Sequence, residues 1–354
     1  MVRIAVIPGD GIANEVVPEA VKVLEMVDKL FNIGLDYELF DFGAERYLKT
    51  GKAVPDDFDA FIQALPDTFD TALFGAGGID PRVPKGVSAQ PVLRGLRRGL
   101  DLYANVRPCK LLDASITPLK GKTEHDLDFV VIRENTEGYE SGTAGNFKAG
   151  TPDEVEIRPE YNTYKGVRRV VDFAFTFAQE NARSRVFMAQ KGLDNGLWNR
   201  IFFEVAGTYK GIEARQMHVD TLAYTMIVAP EQLQVIVAEN RAGDILSDIG
   251  GAIQGSRGIA PTGCFNAERN FCYFEPVHGT GPDIIGQQLA NPLAAIRAAG
   301  MLLTHFGHRD AAHAIEAAAS AVIKTGKVTR DLGGALSTPH AGEALREALR
   351  RMAG

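Results

Sequence analysis

Residues 2–30 read VRIAVIPGDGIANEVVPEAVKVLEMVDKL and combine a short apolar run, a glycine-rich turn and an amphipathic pattern. The run Val2–Ile7 predicts a buried strand, and the turn Pro8–Gly11 leads into a helix from about Asn14 to Leu30. A strand, a turn and a helix in this order are typical of α/β folds. The turn lacks both GxGxxG and GxxxxGKS/T, so neither of these nucleotide-binding loops is indicated.

The same alternation continues along the chain. Further predicted strands are Leu35–Phe42, Thr71–Phe74, Leu102–Arg107, Asp128–Arg133, Arg185–Ala189 and Phe271–Glu275. The part from Asn291 onward predicts two or three Ala-rich helices, and the polar, glycine-rich residues 140–163 predict a protruding arm. Because 354 residues exceed what one core usually serves, two domains or one elaborated α/β unit are expected.

Composition limits the classes of function. A net charge of −7 without a basic stripe argues against nucleic acid or an anionic membrane as a partner. No leader peptide and no run of membrane-spanning length are apparent. Cys109, Cys264 and Cys272 match no metal or redox spacing, so they are interpreted as packing residues in a protein of the reducing cytoplasm.

Three carboxylates near residues 217–251 indicate a metal site. Asp244 and Asp248 are four residues apart on a predicted helix, so both point from one face, and Asp220 precedes them. Oxygen ligands of this kind suit Mg²⁺ or Mn²⁺. The alternative is a solvated helix face that carries two harmless acids.

Arginines mark two predicted strands and the helix before them. Arg94, Arg97 and Arg98 lie on a short predicted helix, while Arg107 and Arg133 end strands that look parallel. Arginine is suited to bidentate capture of carboxylates, and the ends of parallel strands are where such sheets bind ligands. The alternative is surface pairing of these arginines with the acids Asp101, Glu134 and Glu137.

Two later segments carry further candidates. Lys191 follows a buried strand, where it is either a solvated end or a catalytic amine. The loop His278–Asp283 has little side-chain bulk, as a close-fitting ligand requires. Asp283 can accept hydrogen bonds from ribose hydroxyls and would repel the extra phosphate of NADP.

Five ordered motifs carry a resemblance that spans nearly the whole chain. They are IPGDGI at 7–12, LDLYANVRP at 100–108, IRENTEG at 132–138, ENRAGDILSD at 239–248, and EPVHGTGPD at 275–283 followed by ANP at 290–292. This set resembles the β-decarboxylating dehydrogenases, which act on isocitrate, homoisocitrate, 3-isopropylmalate, tartrate or D-malate. The family also has a metal aspartate 24 residues before the first aspartate of GDILSD, where Asp220 stands.

The resemblance implies a two-domain α/β fold that is not Rossmann, with a central sheet. A nucleotide-side domain would comprise residues 1–103 and 254–354, and a central domain would comprise residues 104–253. The central domain would form a homodimer, locked by the arm 140–163, and the active site would be shared between subunits.

The resemblance also implies roles for individual residues. Asp244 and Asp248 would bind Mg²⁺ or Mn²⁺ with Asp220 of the partner chain, and Lys191, also from the partner, would be the catalytic lysine. Arg97, Arg107 and Arg133 would bind the malate carboxylates. NAD would be bound by His278, Gly279, Thr280, Gly281, Asp283 and Asn291.

Two departures from the family pattern concern catalysis. The family's catalytic tyrosine falls at the position of Glu140, and Tyr139 comes one residue earlier. Proton return to carbon therefore falls either to Tyr139, after a local backbone shift, or to water or another group. In the family an asparagine stands two residues after the lysine; here Leu193 stands there, followed by Asp194 and Asn195.

Substrate choice depends on the residues before Arg97. Arg94 resembles the additional arginine of homoisocitrate dehydrogenases, so a tricarboxylate such as homoisocitrate or isocitrate is expected. If Arg94 turns outward, a 3-isopropylmalate, tartrate or D-malate substrate is expected instead. A different class, a non-catalytic regulatory subunit, is motivated by the displaced tyrosine but opposed by the retained aspartates, lysine and arginines.

Overall fold

The computed structural model describes residues 1–142, 144–192 and 195–353. Its strands are β1 (Val2–Gly9), β2 (Leu35–Leu39), β3 (Thr71–Ala76), β4 (Ala104–Lys110), β5 (Asp128–Glu134), β6 (Gly145–Phe147), β7 (Val155–Ile157), β8 (Arg185–Gln190), β9 (Glu213–His218), β10 (Val235–Ala238), β11 (Pro261–Phe265) and β12 (Cys272–Pro276). Its α-helices are α1 (Ala13–Phe31), α2 (Ala44–Thr50), α3 (Phe58–Thr68), α4 (Gln90–Arg94), α5 (Tyr164–Glu180), α6 (Leu197–Ala206), α7 (Val219–Val228), α8 (Asn240–Ile253), α9 (Leu293–His305), α10 (Arg309–Lys324) and α11 (Thr338–Ala353). None of the helices in these ranges is long and apolar enough to cross a membrane.

Ten of the strands form one mixed sheet in the order β2-β1-β3-β12-β11-β4-β5-β10-β8-β9. At one end of the sheet β2, β1, β3 and β12 are parallel to one another, and at the other end β5, β10, β8 and β9 are parallel to one another. Between these two groups, the pairs β12–β11, β11–β4 and β4–β5 are antiparallel. Helices cover both faces because the parallel strands are connected by helical crossovers. The predicted α/β class with a central sheet is confirmed.

The ends of the predicted strands that border the candidate site lie within about three residues of the observed ends. The predicted parallel appearance of Leu102–Arg107 and Asp128–Arg133 is wrong, because β4 and β5 run antiparallel. Strands β9, β10 and β11 were not predicted. Within the predicted arm 140–163, β6 and β7 form a two-stranded ribbon with Gly145 opposite Ile157.

Buried side chains form four hydrophobic clusters, two on each half of the sheet. On one half, α1 turns the stripe Val16, Val23 and Val27 onto the sheet and packs against α9 and α11. That cluster and the one opposite it draw almost entirely on residues 2–102 and 259–349. The other two clusters draw on residues 103–253. This grouping agrees with the predicted two-domain division, which stays a prediction.

Candidate active site

Arg107 and Arg133 come together because of the antiparallel register of β4 and β5. Asn105 lies opposite Arg133, and Arg107 is two residues further along the same face of β4. Asn105 Oδ1 accepts a hydrogen bond from Arg107 Nε at 2.8 Å. Arg107 therefore lies within its strand and not at the end, as the sequence predicted, yet the two arginines still meet.

Asp244 in α8 is the shared partner of both arginines. Its carboxylate accepts a hydrogen bond from Arg107 Nη1 at 3.1 Å and another from Arg133 Nη1. Burial acts to raise the pKa of Asp244, but the charges of Arg133, Arg107 and Arg97 outweigh it and lower that pKa. The carboxylate thus stays ionised at neutral pH.

The two arginines are fixed further by uncharged side chains. Arg107 Nη1 donates to Ser247 Oγ at 2.7 Å, and Asn240 Oδ1 accepts from Arg133 Nη2 at 2.6 Å. Asn240 begins α8, whose amino terminus is capped by the Glu239 carboxylate through the amides of residues 241 and 242. The capped start of α8 therefore helps to position Asp244, the candidate metal ligand, and the two arginines that contact it.

Arg97 reaches the same region from a different element. α4 runs directly into a π-helical turn, Gly95–Gly99, in which the amide of Leu100 donates to the Gly95 carbonyl. Arg97 Nε donates to the Tyr273 hydroxyl at 2.9 Å, and Nη2 donates to Glu275 Oε1 at 2.7 Å. The alternative of surface pairing with Asp101, Glu134 and Glu137 does not hold for Arg97, Arg107 or Arg133.

Arg94 does not accompany Arg97. It is exposed and borders a surface depression together with Phe58, Ile62 and Gln63 of α3. In a regular α-helix two residues three apart share one face, but the π turn that follows Arg94 changes this relation. The expectation that Arg94 joins the other arginines is therefore not met in this chain.

The remaining metal candidates lie in separate ion pairs. Asp248 Oδ2 is 3.2 Å from Arg257 Nη1, and Asp220 Oδ2 is 2.5 Å from Lys191 Nζ. The hydrogen bond from Lys191 lowers the pKa of the exposed Asp220 carboxyl. Across the described ranges, no group of three or more potential metal-ligating His, Cys, Asp or Glu side chains is present. This separation agrees with the expectation that Asp220 and Lys191 serve the partner's site, which stays a prediction.

Tyr139 lies beside the start of α8. The Arg241 guanidinium covers its ring at 3.9 Å from the centroid. Arg241 Nη2 also lies 3.5 Å from Glu160 in the arm. Leu193 and Asp194, where the family pattern is broken after the lysine, lie outside the described residues.

The predicted cofactor loop packs on the first turn of the chain. The Ile12 amide donates to the Thr280 carbonyl at 3.0 Å, and Thr280 Oγ1 donates to the Ile79 carbonyl at 2.8 Å. Gly11 has φ +62°, and a Cβ there would lie 2.2 Å from the Thr280 carbonyl oxygen. Only glycine fits that approach.

The buried Asp10 carboxylate ties three loops to the same turn. It accepts hydrogen bonds from the amides of Ala44 (2.8 Å), Gly78 (2.9 Å) and Ala89 (2.6 Å). Sequence analysis interpreted this residue only as part of a tight turn. The three bonds show that it organises the loops beside the predicted cofactor segment.

His278, which is half-buried, and Asn291, which is buried, are two further cofactor candidates. His278 Nδ1 lies 2.9 Å from the Gly279 carbonyl oxygen, while its Nε2 is buried and has no hydrogen-bond partner among the described residues. Burial lowers the pKa of His278, so the ring is neutral. Asn291 Nδ2 donates to Asp331 at 3.1 Å. Asp283 is exposed.

Sequence analysis did not identify Tyr273, Glu275 or Asp331. Glu275 stands in the EPVHGTGPD motif, but nothing in the sequence shows that it meets Arg97. Asp331 accepts hydrogen bonds from Ser256, Thr329 and Asn291 and lies in a segment predicted only to pack. These contacts depend on strand and loop placement, which residue patterns do not specify.

Comparisons with known proteins agree with this geometry. A family model described as isocitrate/isopropylmalate dehydrogenase matches residues 3–345. The chain is 39% identical to a D-malate dehydrogenase (decarboxylating) of Escherichia coli, with 97% of each chain covered, and 38% identical to a tartrate dehydrogenase/decarboxylase of Pseudomonas putida, with 99% and 98% covered. A 3-isopropylmalate dehydrogenase of Thermobifida fusca is 38% identical, with 98% and 97% covered.

Among solved structures, the isocitrate dehydrogenase from Methylococcus capsulatus superimposes with a TM-score of 0.86 at 32% identity, covering 99% of this chain and all of that one. The matched region includes the ten-stranded sheet, the arginines near Asp244 and the loop His278–Asp283. The chain therefore belongs to the isocitrate/isopropylmalate dehydrogenase family and is a decarboxylating 2-hydroxy acid dehydrogenase.

Proposed function

We propose that the chain oxidises an (R)-malate-type 2-hydroxy acid with NAD and then decarboxylates it, using Mg²⁺ or Mn²⁺. The observation that carries this proposal is the contact of Arg107 and Arg133 with one ionised acid, Asp244, whose pKa the charge of Arg97 also lowers. Guanidinium groups gathered in one place suit bidentate contact with the carboxylates of a substrate.

The acids of α8 fit a hard divalent cation. The side chain of Asp244 is 43% exposed and that of Asp248 is 45% exposed, so both are accessible one helical turn apart. Asp244 and Asp248 would hold the ion together with Asp220 of a second copy. An ion held by these residues would supply Lewis-acid chemistry at the C2 oxygen and for the negative charge that develops during loss of CO₂.

The loop His278–Asp283 fits a dinucleotide. The buried Nε2 of His278 lacks a partner in the described chain and suits a hydrogen bond from or to a base. A side chain at Gly279 would meet nothing within 4 Å, so the loop leaves open space there. We infer NAD and not NADP because the exposed acid Asp283 would repel a 2′-phosphate. NAD held by this loop would supply the hydride acceptor.

The protein's own groups then have distinct tasks. The three arginines bind and orient the substrate carboxylates. Lys191, supplied by the partner, helps to remove the proton of the C2 hydroxyl, and the Asp220 carboxylate, 2.5 Å from Lys191 Nζ, can take a proton from that ammonium in exchange. Tyr139 returns a proton to carbon after CO₂ leaves.

The position of Arg94 bears on the substrate. Arg94 is exposed beside α3 and forms no hydrogen bond or ion pair in the described part of the chain. We therefore infer a malate whose C3 substituent is absent, small or apolar, as in D-malate, tartrate or 3-isopropylmalate. A tricarboxylate is the second candidate, since an unpaired Arg94 three residues before Arg97 remains available to a distal carboxylate.

A homodimer is part of the proposal. Large apolar side chains that are 48–66% exposed lie on α7, on α8 and on the arm ribbon: Tyr224, Ile227, Val228, Ile245, Phe147, Val155 and Ile157. Exposed apolar surface of this extent is typical of an interface between subunits. A cleft of about 490 Å³ beside it is lined by Lys191, Trp198 and Arg241.

The test measures NADH formation by absorbance with Mg²⁺ or Mn²⁺, with EDTA as the control. D-malate, tartrate, 3-isopropylmalate, isocitrate and homoisocitrate are offered separately, and Arg94→Leu is the matched variant. We expect metal-dependent turnover on one of the first three, with a kcat/KM that Arg94→Leu changes by less than about threefold. Best turnover on isocitrate or homoisocitrate, lost in Arg94→Leu, would refute the inference about Arg94, and an inert protein that dimerises would favour a regulatory subunit.

A further inference from the structure

A row of side chains crosses four strands behind the arginines. Tyr273 of β12 lies opposite Cys264 of β11, Cys264 lies opposite Asn105 of β4, and Asn105 lies opposite Arg133 of β5. Residues paired directly across neighbouring strands point from the same face of the sheet. Tyr273, Cys264 and Asn105, here called the polar row, are all buried.

The members of the polar row are neighbours across adjacent strands, and one pair of them is hydrogen-bonded. Asn105 Nδ2 donates to Cys264 Sγ at 3.2 Å, while Tyr273 and Cys264 are paired in the register of β12 and β11. Burial raises the pKa of Cys264 to about 12, so the thiol stays protonated. The row is therefore uncharged along its length.

Each end of the polar row holds one substrate-candidate arginine. At one end, Tyr273 accepts from Arg97 Nε at 2.9 Å and lies 3.0 Å from Glu275 Oε1. At the other end, Asn105 accepts from Arg107 Nε at 2.8 Å. The two arginines are thus fixed to points two strands apart, roughly 10 Å.

The contacts of Arg97 leave one nitrogen for a ligand. Tyr273 takes Nε and Glu275 takes Nη2. Nη1 forms no hydrogen bond in the part of the chain that the structure describes, and the Arg97 charge acts on the pKa of Asp244. Burial raises the pKa of Tyr273 well above its ordinary value, so its hydroxyl keeps the proton that it shares with Glu275.

We propose that Tyr273, together with the rest of the polar row, is a positioning residue that sets the separation and direction of Arg97 and Arg107 for a dicarboxylate substrate. This inference rests on the proposed function for the identity of the ligand. β12 continues into the loop His278–Asp283, so the strand that holds Arg97 also leads to the predicted cofactor segment.

The test compares Tyr273→Phe with Tyr209→Phe. Tyr209 also carries a hydroxyl with two partners, Thr176 at 2.8 Å and Asp172 at 2.9 Å, but it lies on the far side of α5. We expect Tyr273→Phe to raise the KM for the hydroxy acid by at least about tenfold, because hydrogen bonds to charged groups carry effects of that size. The KM for NAD should change by less than about twofold, and Tyr209→Phe should change neither.

Two further measurements keep the proposal open to refutation. Cys264→Ala interrupts the row without touching either arginine, and it should raise the KM for the acid by a smaller factor. Binding of D-malate to the metal-free protein, measured by calorimetry, should weaken in Tyr273→Phe whether or not the acid is turned over. Equal losses of thermal stability in Tyr273→Phe and Tyr209→Phe, with unchanged binding and KM, would overturn the positioning role.

The calorimetric measurement separates this inference from the proposed function. If the wild-type protein binds D-malate but oxidises none of the five acids, the proposed function fails while the polar row is still tested by binding. If the wild-type protein binds no hydroxy acid at all, both are overturned.

Discussion

Arg133 and Asp244 form an ion pair in which the arginine side chain is 2% exposed and the aspartate is 43% exposed. The buried partner is held by Asn240, so the accessible acid is presented towards solvent in a fixed place. A cation that approaches Asp244 meets an acid that is already ionised and oriented. Much of the conformational entropy that a metal ligand must lose on binding is thus already lost when the chain folds.

Asp244→Asn is expected to weaken metal binding. An amide keeps the shape and one acceptor oxygen but removes the charge that a hard cation requires. We expect the dissociation constant for Mn²⁺, measured by calorimetry, to rise at least about tenfold. Asp41→Asn, in an exposed ion pair with Lys49, is the control and should leave Mn²⁺ affinity unchanged.

The lowered pKa of Asp244 predicts a pH dependence of stability. The folded-state pKa lies below the ordinary value of 3.8, so the carboxylate contributes stability that is fully present above that value. The contribution is lost as pH falls through the lowered folded-state pKa. The difference in midpoint between the wild-type protein and Asp244→Asn in urea unfolding should be constant from pH 7 to about pH 5 and shrink below about pH 4. A difference that grows on acidification would contradict this.

Asp10→Asn is expected to destabilise the loops around the first turn. The NH₂ group of the asparagine cannot accept a hydrogen bond, so, depending on the orientation of the amide, either the amide of Ala44 or those of Gly78 and Ala89 lose their acceptor. Each unpaired donor costs about 1–3 kcal/mol, so the free energy of unfolding should fall by at least about 1 kcal/mol. Urea denaturation measures this loss, and NAD affinity should fall with it. A loss below about 0.5 kcal/mol would show that the loops relax around the amide.

Tyr139→Phe tests proton return to carbon. General acid groups contribute about 10²–10⁴-fold, so kcat should fall by at least about 10² if Tyr139 has this role. Arg241→Met, which removes the cation above the Tyr139 ring, should reduce kcat by a smaller factor. Tyr37→Phe, in which the lost hydroxyl bonds only to Glu25 on the far edge of the sheet, is the control. Unchanged kcat in Tyr139→Phe would assign proton return to water or another group.

Ile227→Glu tests the dimer surface. Ile227 is 49% exposed on α7, and a charge there would be buried at the interface proposed above. We expect light scattering to show a monomer and turnover to fall with it, since Lys191 and Asp220 would be supplied by the partner. Leu39→Glu, at a residue that is 63% exposed on the edge strand β2, should leave both properties unchanged.

The sequence allowed most of the elements to be predicted and indicated candidate site residues, whose roles stay predictions, but it did not show how these residues are placed relative to one another. The arginines and the acids of α8 stand in recognisable motifs, and in the folded chain Arg107 and Arg133 contact Asp244 while the charge of Arg97 lowers its pKa. The direction of β4 could not be deduced, because an apolar run specifies a strand but not its neighbour.

Three other features were beyond residue patterns for physical reasons. β11 contains Pro261 and Gly263, both of which are depleted in strands, so the residue pattern does not indicate a strand there. The π turn after Arg94 contains no residue that would indicate it from the sequence, yet it separates Arg94 from Arg97. The polar row depends on the register of three strands, which only the folded sheet defines.

The place of β12 between β3 and β11 has a consequence for synthesis of the chain. Thr71 of β3 bonds to Cys272, 201 residues later, so β3 remains an open sheet edge until that residue leaves the ribosome. At ordinary translation speeds this interval lasts roughly 10–40 s. Residues 104–253 contain seven strands, five of which are consecutive in the large sheet while the other two pair with each other, so this part of the chain can fold meanwhile. We therefore expect a nascent chain in which the central residues fold first and the amino-terminal part requires chaperone protection.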